Sequence, residues 1–488
     1  DPIAFTGVES LSVNAAGGVD TLQVTGSAIY EYTPGATPDA GSLITAGLPI
    51  TFTNLAGGET LNLAGTSLVV HGTDANNAFV LGASLSLDGR VNITRTGLTA
   101  LTLDGLAGDD SFAVSSGHGY TAVTLNGGPP SSSDVATFTD GANTVTLQLG
   151  TSPVSTTDAI VSSAGLGTVS LTGVEVANVV TSNRNVIVNG TAECDDLTYQ
   201  PTGADAGWVR KAGINLVANL SGVGALTING VGGDDTLTVL GTTAPDAFTI
   251  SPNAVLLSTL QGVDMLSNID ALMVYGGAGA DTFSVTPGSI PIDLFGDAPL
   301  GGATGDSLML NVTTAVTFHP GLQAGAGRFD AATAQPVTFE QMEQLAVDGD
   351  GDDGVTVNGT PSADAFTLTA LLAPDDFTVS LNGQTVTYTD FAAATLEGFD
   401  GDDAFTVALV AGFTTDVTIR GGSATGGDTL HVVGTSAGET IAVDLAAGTI
   451  AMGTADPITF SGVESLSVNA AGGADTLRVS GSATYEYR

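Results

Sequence analysis

Short turns rich in glycine and aspartate recur along the chain, and their carboxylates are the side chains best placed to do chemistry. The motif sets Gly and Asp directly before a short apolar strand, as in GGDDTLTV at 232–239 and GGADTLRV at 472–479. In an isolated turn such as GGAD at 472–475, the simplest role for the Asp is to cap backbone N–H groups without a metal, because Gly-Asp is a favoured turn dipeptide.

Two runs carry more carboxylates than a turn needs. Four lie within six residues at Asp348, Asp350, Asp352 and Asp353, and a similar run follows at Asp400, Asp402 and Asp403. Carboxylates this close repel one another unless a cation screens them. Both runs are therefore predicted to bind a metal ion. The first begins like an EF-hand loop but lacks the bidentate Glu at its twelfth position, which argues against an EF-hand.

Other reactive groups are sparse. Four His residues are present, and none has a second His at metal-ligand spacing or a Ser or Cys nucleophile motif beside it. The single cysteine, Cys194, excludes an intrachain disulfide and a cysteine-based metal site. The sequence predicts that the chain is not an enzyme. A polysaccharide-degrading β-helix enzyme is the catalytic alternative, and it would need a basic residue beside a cleft of acids.

The charge balance excludes several partners. Asp and Glu number 51 against 9 Lys and Arg, giving a net charge of −42. Phosphate binding requires Lys and Arg, so no nucleic-acid partner is expected. Docking on anionic lipid is disfavoured for the same reason, and no apolar run approaches the length of a membrane span. The acidity favours cations and also keeps a protein soluble.

The segments that follow the turns alternate between apolar and polar residues. In TLTV at 236–239, Leu237 and Val239 share one face and the two Thr residues share the other. Alternation with a period of two, bounded by Gly and Asp, is the pattern of a half-buried β-strand. The chain is therefore predicted to be all-β.

The spacing of the turns predicts how these strands are arranged. Asp306 follows Asp281 by 25 residues, and Asp428 follows Asp403 by 25 residues. A parallel β-solenoid (β-helix) with coils of about 22–25 residues accounts for this spacing, because stacked coils place equivalent strands on one another. Tandem β-sandwich domains are the alternative, since their strands also alternate and recur at about ten residues.

A long duplication sets the domain prediction. Residues 1–32 and 456–487 differ at only six positions: Ala4/Thr459, Thr6/Ser461, Val19/Ala474, Gln23/Arg478, Thr25/Ser480 and Ile29/Thr484. The two segments are 455 residues apart. We expect residues 1–455 to form one long repeat unit of stacked β coils, and residues 456–488 to be the start of the next copy.

The turns resemble the Gly/Asp nonapeptides of the RTX (hemolysin-type) calcium-binding repeats, whose pattern is GGxGxDxUx with U a large apolar residue. GGAGADTFS at 276–284 fits the pattern throughout, and GGATGDSLM at 301–309 keeps Asp306 and Leu308 but has Thr304 in place of the third Gly. The resemblance implies Ca²⁺ held between successive turns by carboxylates and backbone carbonyls. Applied to this chain, it adds Asp281, Asp306 and Asp428 to the predicted metal ligands.

These features also resemble the giant repeat proteins of bacterial surfaces. The expected function is a structural extracellular or cell-surface fibre or filament protein, stabilised by calcium and partnered by further copies of itself, end to end or along a filament. A calcium-dependent adhesin stalk that contacts cell-surface glycans is the alternative binding function. No membrane insertion is expected.

Overall fold

The computed structural model describes residues 8–15, 19–55, 59–129, 133–150, 158–297 and 305–481. The regular elements of these residues are all strands, as predicted. In the first half of the chain they are β1 (Leu11–Asn14), β2 (Thr21–Thr25), β3 (Ile29–Pro34), β4 (Gly41–Thr45), β5 (Leu48–Thr53), β6 (Thr60–Ala64), β7 (Ser67–His71), β8 (Ala78–Leu81), β9 (Leu85–Leu87), β10 (Asn92–Thr96), β11 (Ala100–Asp104), β12 (Ser111–Ser115), β13 (Ala122–Asn126), β14 (Val135–Asp140), β15 (Val145–Leu149), β16 (Ala159–Ser163), β17 (Gly167–Thr172), β18 (Val176–Asn189), β19 (Asp196–Gly203), β20 (Ala206–Lys211), β21 (Val217–Asn229) and β22 (Thr236–Leu240). The remaining strands are β23 (Ala247–Ser251), β24 (Ala254–Leu257), β25 (Met265–Ser267), β26 (Ala271–Tyr275), β27 (Thr282–Val285), β28 (Ile292–Phe295), β29 (Ser307–Asn311), β30 (Val316–Pro320), β31 (Gly327–Ala331), β32 (Val337–Glu340), β33 (Gln344–Asp348), β34 (Gly354–Asn358), β35 (Ala365–Ala370), β36 (Phe377–Leu381), β37 (Gln384–Thr389), β38 (Ala393–Glu397), β39 (Ala404–Ala408), β40 (Asp416–Arg420), β41 (Thr429–Val433), β42 (Thr440–Asp444), β43 (Thr449–Met452), β44 (Ile458–Ser461), β45 (Ser465–Asn469) and β46 (Thr476–Ser480).

The chain divides into two compact units. Unit 1 comprises Asp1–Thr238 with Thr259–Ile269, and unit 2 comprises Val239–Ser258 with Asp270–Arg488. The same arrangement is found inside each unit: strands from successive windings of the chain lie parallel and in register. The fold is a parallel β-solenoid, which confirms the predicted class.

Columns of equivalent side chains run through the windings of each unit. In unit 1, Phe112 of β12 pairs with Phe79 of β8 on one side and Ala136 of β14 on the other. In unit 2, Phe283 of β27 pairs with Phe248 of β23, and their rings stack 5.0 Å apart at an interplanar angle of 2°. Burial of a Phe side chain contributes about 1.5–3 kcal/mol, so these columns supply much of the stability.

Each strand turns alternate residues inward, as the sequence pattern predicts. In β39, Phe405 and Val407 are buried while Ala404 and Thr406 face outward. The inward residues of all the windings in a unit form its core, and the outward face is mostly Thr, Ser and Asn. Outward β-branched residues suit the pleated surface without adding apolar exposure.

The windings have two lengths, where the sequence predicted one. Equivalent aspartates are 24 residues apart at Asp110 and Asp134 and 25 apart at Asp281 and Asp306, within the predicted range. Other windings are longer, for example 39 residues from Asp364 to Asp403. The extra residues of that winding form β36, which pairs antiparallel with β35 and β37. Antiparallel hairpins are thus additions to a parallel framework.

Candidate functional site

Aspartates at the start of the inward-facing strands form a chain of hydrogen bonds from winding to winding. In unit 2 the backbone N–H of Asp246 donates to Asp281 Oδ1 at 2.7 Å, and the N–H of Asp281 donates to Asp306 Oδ1 at 2.7 Å. The N–H of Asp306 then donates to Glu343 Oε2, also at 2.7 Å. We call this arrangement the aspartate ladder.

The ladder occurs five times in the described residues. Three copies each join four residues, and the other two each consist of one hydrogen bond, which we call a rung. The copies are Asn77–Asp110–Asp134–Glu175 and Asp195–Asp235 in unit 1, and Asp246–Asp281–Asp306–Glu343, Asp364–Asp403–Asp428–Glu464 and Glu439–Asp475 in unit 2. Hydrogen bonds in which the acceptor is charged are roughly twice as strong as neutral ones. Each rung therefore joins a turn to the next winding at a point where the hydrogen bonds between the parallel strands have ended.

A glycine ahead of most ladder aspartates makes room for the carboxylate. A Cβ atom built on Gly398 would lie closer than 3.0 Å to both Asp403 Oδ2 and the carbonyl oxygen of Gly421, and one built on Gly421 would meet Asp428 Oδ2 and the carbonyl oxygen of Gly462. Real Cβ atoms essentially never come so close. These two glycines are thus required by close packing between windings.

The second carboxylate oxygen distinguishes two kinds of turn. In the Gly-Thr turns, the Thr N–H donates to it, as from Thr242 to Asp246 Oδ2 and from Thr360 to Asp364 Oδ2, both at 2.6 Å. In the Gly/Asp turns it is buried and no described residue donates to it; these oxygens are Oδ2 of Asp110, Asp134, Asp281, Asp403 and Asp428. The residue after the Gly has a positive φ in each of these turns, at Leu106, Gly128, Gly277, Phe399 and Gly422.

Burial of an acceptor without a donor changes the acidity of these groups. Asp281 and Asp403 are at most 1% exposed, and burial raises the pKa of each to about 6, with a further contribution from the next carboxylate in the ladder. The same causes raise the pKa of Asp110 to about 6. Loss of solvation at an oxygen to which no described residue donates favours the protonated carboxyl group, which is why the pKa rises.

The four predicted metal ligands Asp281, Asp306, Asp403 and Asp428 are therefore members of the ladder. One oxygen of each accepts a backbone N–H, and a glycine packs against the other. Calcium prefers six to eight oxygen ligands, and the described residues bring no group of three carboxylates together around any of the four. The Gly-rich part of the second RTX-like turn, residues 301–304, lies outside the described residues.

Asp400 and Asp402 lie beside the turn of the following winding. Asp402 Oδ1 accepts N–H groups from Thr425 at 3.0 Å, Gly426 at 2.6 Å and Gly427 at 3.3 Å, and these bonds lower the pKa of Asp402. Asp400 bridges to Ser423 in the same turn. Asp402 thus holds a turn by accepting backbone hydrogen bonds, the capping role that the sequence offers as the alternative to metal binding.

The run from Asp348 to Asp353 lies beside the residues around Asp390, which belong to a second group of acids. The N–H of Gly351 donates to the carbonyl oxygen of Asp390 at 2.9 Å, and the N–H of Ala392 donates to the carbonyl oxygen of Asp353 at 2.9 Å. Asp353 is 9% exposed, and no described residue donates to its Oδ2. Burial raises its pKa, and Asp350 and Asp352 add to the effect.

This second group of acids is the one place among the described residues where three carboxylates come close together. Oxygens of Asp375, Asp376 and Asp390 lie within 4.8 Å of one another. Desolvation raises the pKa of Asp390, and the charges of Asp375, Asp348 and Asp376 raise it further. We call residues 348–353 with Asp375, Asp376 and Asp390 the acidic cluster. The sequence prediction found its first half, but the nearest of the other three acids, Asp375, lies 22 positions beyond Asp353, and the three show no ligand spacing.

The chain's one lysine also serves the ladder. Lys211 Nζ lies 2.9 Å from Asp195 Oδ1, and the Asp195 side chain is fully buried. The hairpin of β19 and β20 brings Lys211 opposite Leu197, two residues beyond Asp195.

Comparison with protein-family models and with curated proteins finds no match to the chain. The described residues contain no helix with the length and apolar character needed to cross a membrane.

Proposed function

We propose that this chain is a structural segment of an extracellular or cell-surface fibre, built from repeated β-solenoid units and stabilised by calcium. The observation that carries the proposal is the repetition itself at two scales. Windings stack in register inside each unit, and a segment of 32 residues returns 455 residues later with six differences. A repeated unit that buries its core against its neighbours is suited to extending an assembly along one direction.

The composition supports the same role. A net charge of −42 keeps neighbouring fibres apart, and outward Thr and Ser keep the strand faces polar.

Immunogold electron microscopy of the source cells tests this function. Antibodies raised against the folded chain should label filaments or a layer outside the cell envelope, and the label should recur along each filament. Labelling confined to the cell interior would contradict the proposal.

Calcium belongs in the acidic cluster rather than in the ladder. Three carboxylates with mutually close oxygens form a donor set of the type that Ca²⁺ prefers. The ion would be held by Asp375, Asp376 and Asp390, with Asp348, Asp350, Asp352 and Asp353 supplying negative potential around it. Bound calcium would neutralise their repulsion and join the turns that carry them.

Removing calcium should lower the thermal stability of the protein. With millimolar Ca²⁺ and an affinity typical of extracellular modules, binding to the folded state should add about 1–2 kcal/mol. The change in melting temperature between EGTA and 5 mM CaCl₂ measures this contribution. The CaCl₂ concentration is chosen to be about ten times the expected Kd. The variant Asp375→Asn/Asp390→Asn should lose the calcium response, whereas the exposed Asp74→Asn should keep it. Equal melting in EGTA and calcium, or equal loss in both variants, would contradict the assignment.

A further inference from the structure

The duplicated segment occurs at both ends of the chain, and each end shows it with a different neighbour. Leu11–Asn14 in β1 has the sequence of residues 466–469 in β45, and Thr21–Thr25 in β2 corresponds to Thr476–Ser480 in β46. Both copies form strands at these positions, and β1 and β45 turn the same residues inward. The chain therefore contains two views of one structural element.

At the first copy, the winding that follows it is present. β1 pairs in parallel with β5, with Leu11 opposite Ile50. β2 pairs in parallel with β6, with Thr21 opposite Thr60. The carbonyl oxygen of Asp20, just before β2, accepts the N–H of Thr60 at 3.2 Å.

At the second copy, the winding that precedes it is present. β45 pairs in parallel with β41, with Leu466 opposite Leu430. β46 pairs in parallel with β42, with Thr476 opposite Thr440. Asp475, the counterpart of Asp20, accepts the N–H of Glu439 through Oδ1 at 3.0 Å. Between them, the two copies show both edges of the duplicated segment in use.

β46 exposes two apolar side chains whose counterparts in β2 are partly buried by the next winding. Leu477 is 57% exposed and Val479 is 44% exposed. Their counterparts in β2 are half-buried, because β2 lies against β6, whose Leu61 and Leu63 are fully buried. Among the described residues, β46 pairs with β42 alone.

The six differences between the copies leave the contact surface unchanged. Wherever the structure describes the position, the differing residue is exposed, as for Val19, Gln23 and Ile29 in the first copy and Arg478 and Ser480 in the second. The inward residues of the paired strands, Leu and Val, are identical. A winding that fits against one copy therefore fits against the other.

We propose that the free edges of β45 and β46 pair in parallel with β5 and β6 of a following copy of the 455-residue repeat. In this register Leu466 lies opposite Ile50 of that copy, and Thr476 lies opposite its Thr60. Residues 456–481 are then both the last winding of one 455-residue repeat and the first winding of the next, and the solenoid continues through the junction without a linker. Asp475 continues the ladder there, accepting from Glu439 and offering its carbonyl oxygen to the next Thr60. This junction rests on the proposed fibre function and gives it a defined partner and register.

Disulfide trapping in a two-copy chain tests the junction. The chain is extended after Arg488, which occupies the position of Thr33 in the repeat, by a second copy that begins at residue 34, and Cys194 is replaced by Ser in both copies. Cysteines are placed at Arg478 of the first copy and Asn62 of the second, which the register sets opposite each other just as Gln23 and Asn62 pair in the first copy. Mild oxidation and mass spectrometry of the linked peptide should show this bond forming at least about ten-fold faster than a bond from Arg478→Cys to Ala64→Cys, since a shift of two residues exceeds disulfide reach.

The pair Gln23→Cys/Asn62→Cys within a single chain is the control that distinguishes a wrong junction from a wrong strand register. If it forms and the junction pair does not, the windings are correct and the proposed junction is wrong. If neither forms, the parallel register itself is wrong, and the fibre proposal fails with it. Equal rates for the junction pair and the shifted pair would also overturn the junction.

Discussion

Replacing Gly421 by alanine is expected to destabilise unit 2 by about 3 kcal/mol, because overpacking between rigid backbone segments costs this much. The added Cβ would lie closer than 3.0 Å to the carbonyl oxygen of Gly462 and to Asp428 Oδ2. A carbonyl oxygen cannot rotate away as the end of a flexible side chain can, so the windings must separate. Asp428 also carries the rung to Asp403, which the separation would lengthen.

The matched control is Gly354→Ala. A Cβ on Gly354 would meet only the Cβ of Ala393 at 3.6 Å and its carbonyl oxygen at 3.8 Å, ordinary van der Waals distances. Alanine there should be neutral or slightly stabilising, since it reduces the freedom of the unfolded chain. Thermal unfolding of both variants measures the difference. Equal melting temperatures would show that the windings near Gly421 are not packed as described.

Lowering the pH from 8 to 5 is expected to stabilise the protein, opposite to the usual acid response. Asp110, Asp281 and Asp403 have folded-state pKa values raised to about 6 from an ordinary 3.8. Between these values the folded state binds more protons than the unfolded chain, so stability rises as the pH falls through 6 and levels off near 4. Each pKa unit corresponds to about 1.4 kcal/mol. Because the pH falls about one unit below the folded-state pKa values, each of the three groups should contribute about 1.4 kcal/mol between pH 8 and 5.

Melting temperature measured in EGTA across pH 8 to 4.5 tests this response. Asp281→Asn keeps the amide oxygen as an acceptor for the Asp246 N–H and removes the ionisable group, so its melting temperature should be higher at pH 8 and its pH slope smaller. The control Asp402→Asn should lower stability at pH 8, because the pKa of Asp402 is lowered by the N–H groups it accepts, Gly426 first. A melting temperature that falls steadily from pH 8 to 5 would contradict the account of the ladder.

The fold followed from the sequence because its signals are local. Alternation in segments such as TLTV at 236–239 specifies a strand and its inward face, and the return of a Gly/Asp turn after 25 residues specifies the short windings. The inserted hairpins did not follow. Residues of β36 alternate in the same way as those of β35, and only the direction of pairing distinguishes them.

The candidate site was half predictable for a similar reason. The sequence singled out the motif aspartates, but the atom that each carboxylate contacts belongs to a residue 24 to 41 positions away. Local reasoning offers a metal ion or a cap within the same turn. The third solution, a cap across windings, requires knowing which turns are stacked. Asp375, Asp376 and Asp390 escaped notice because a hairpin brings them together.

Residue-resolved hydrogen exchange at the ladder amides tests the central claim, that successive turns are joined through their aspartates. Turn amides on a surface ordinarily exchange fast. The amides of Asp246, Asp281, Asp364 and Asp403 should exchange at least about a hundred-fold more slowly than the exposed turn amides of Asp352 and Ser362. Ladder amides that exchange as fast as Asp352 and Ser362 would contradict the stacked-winding account.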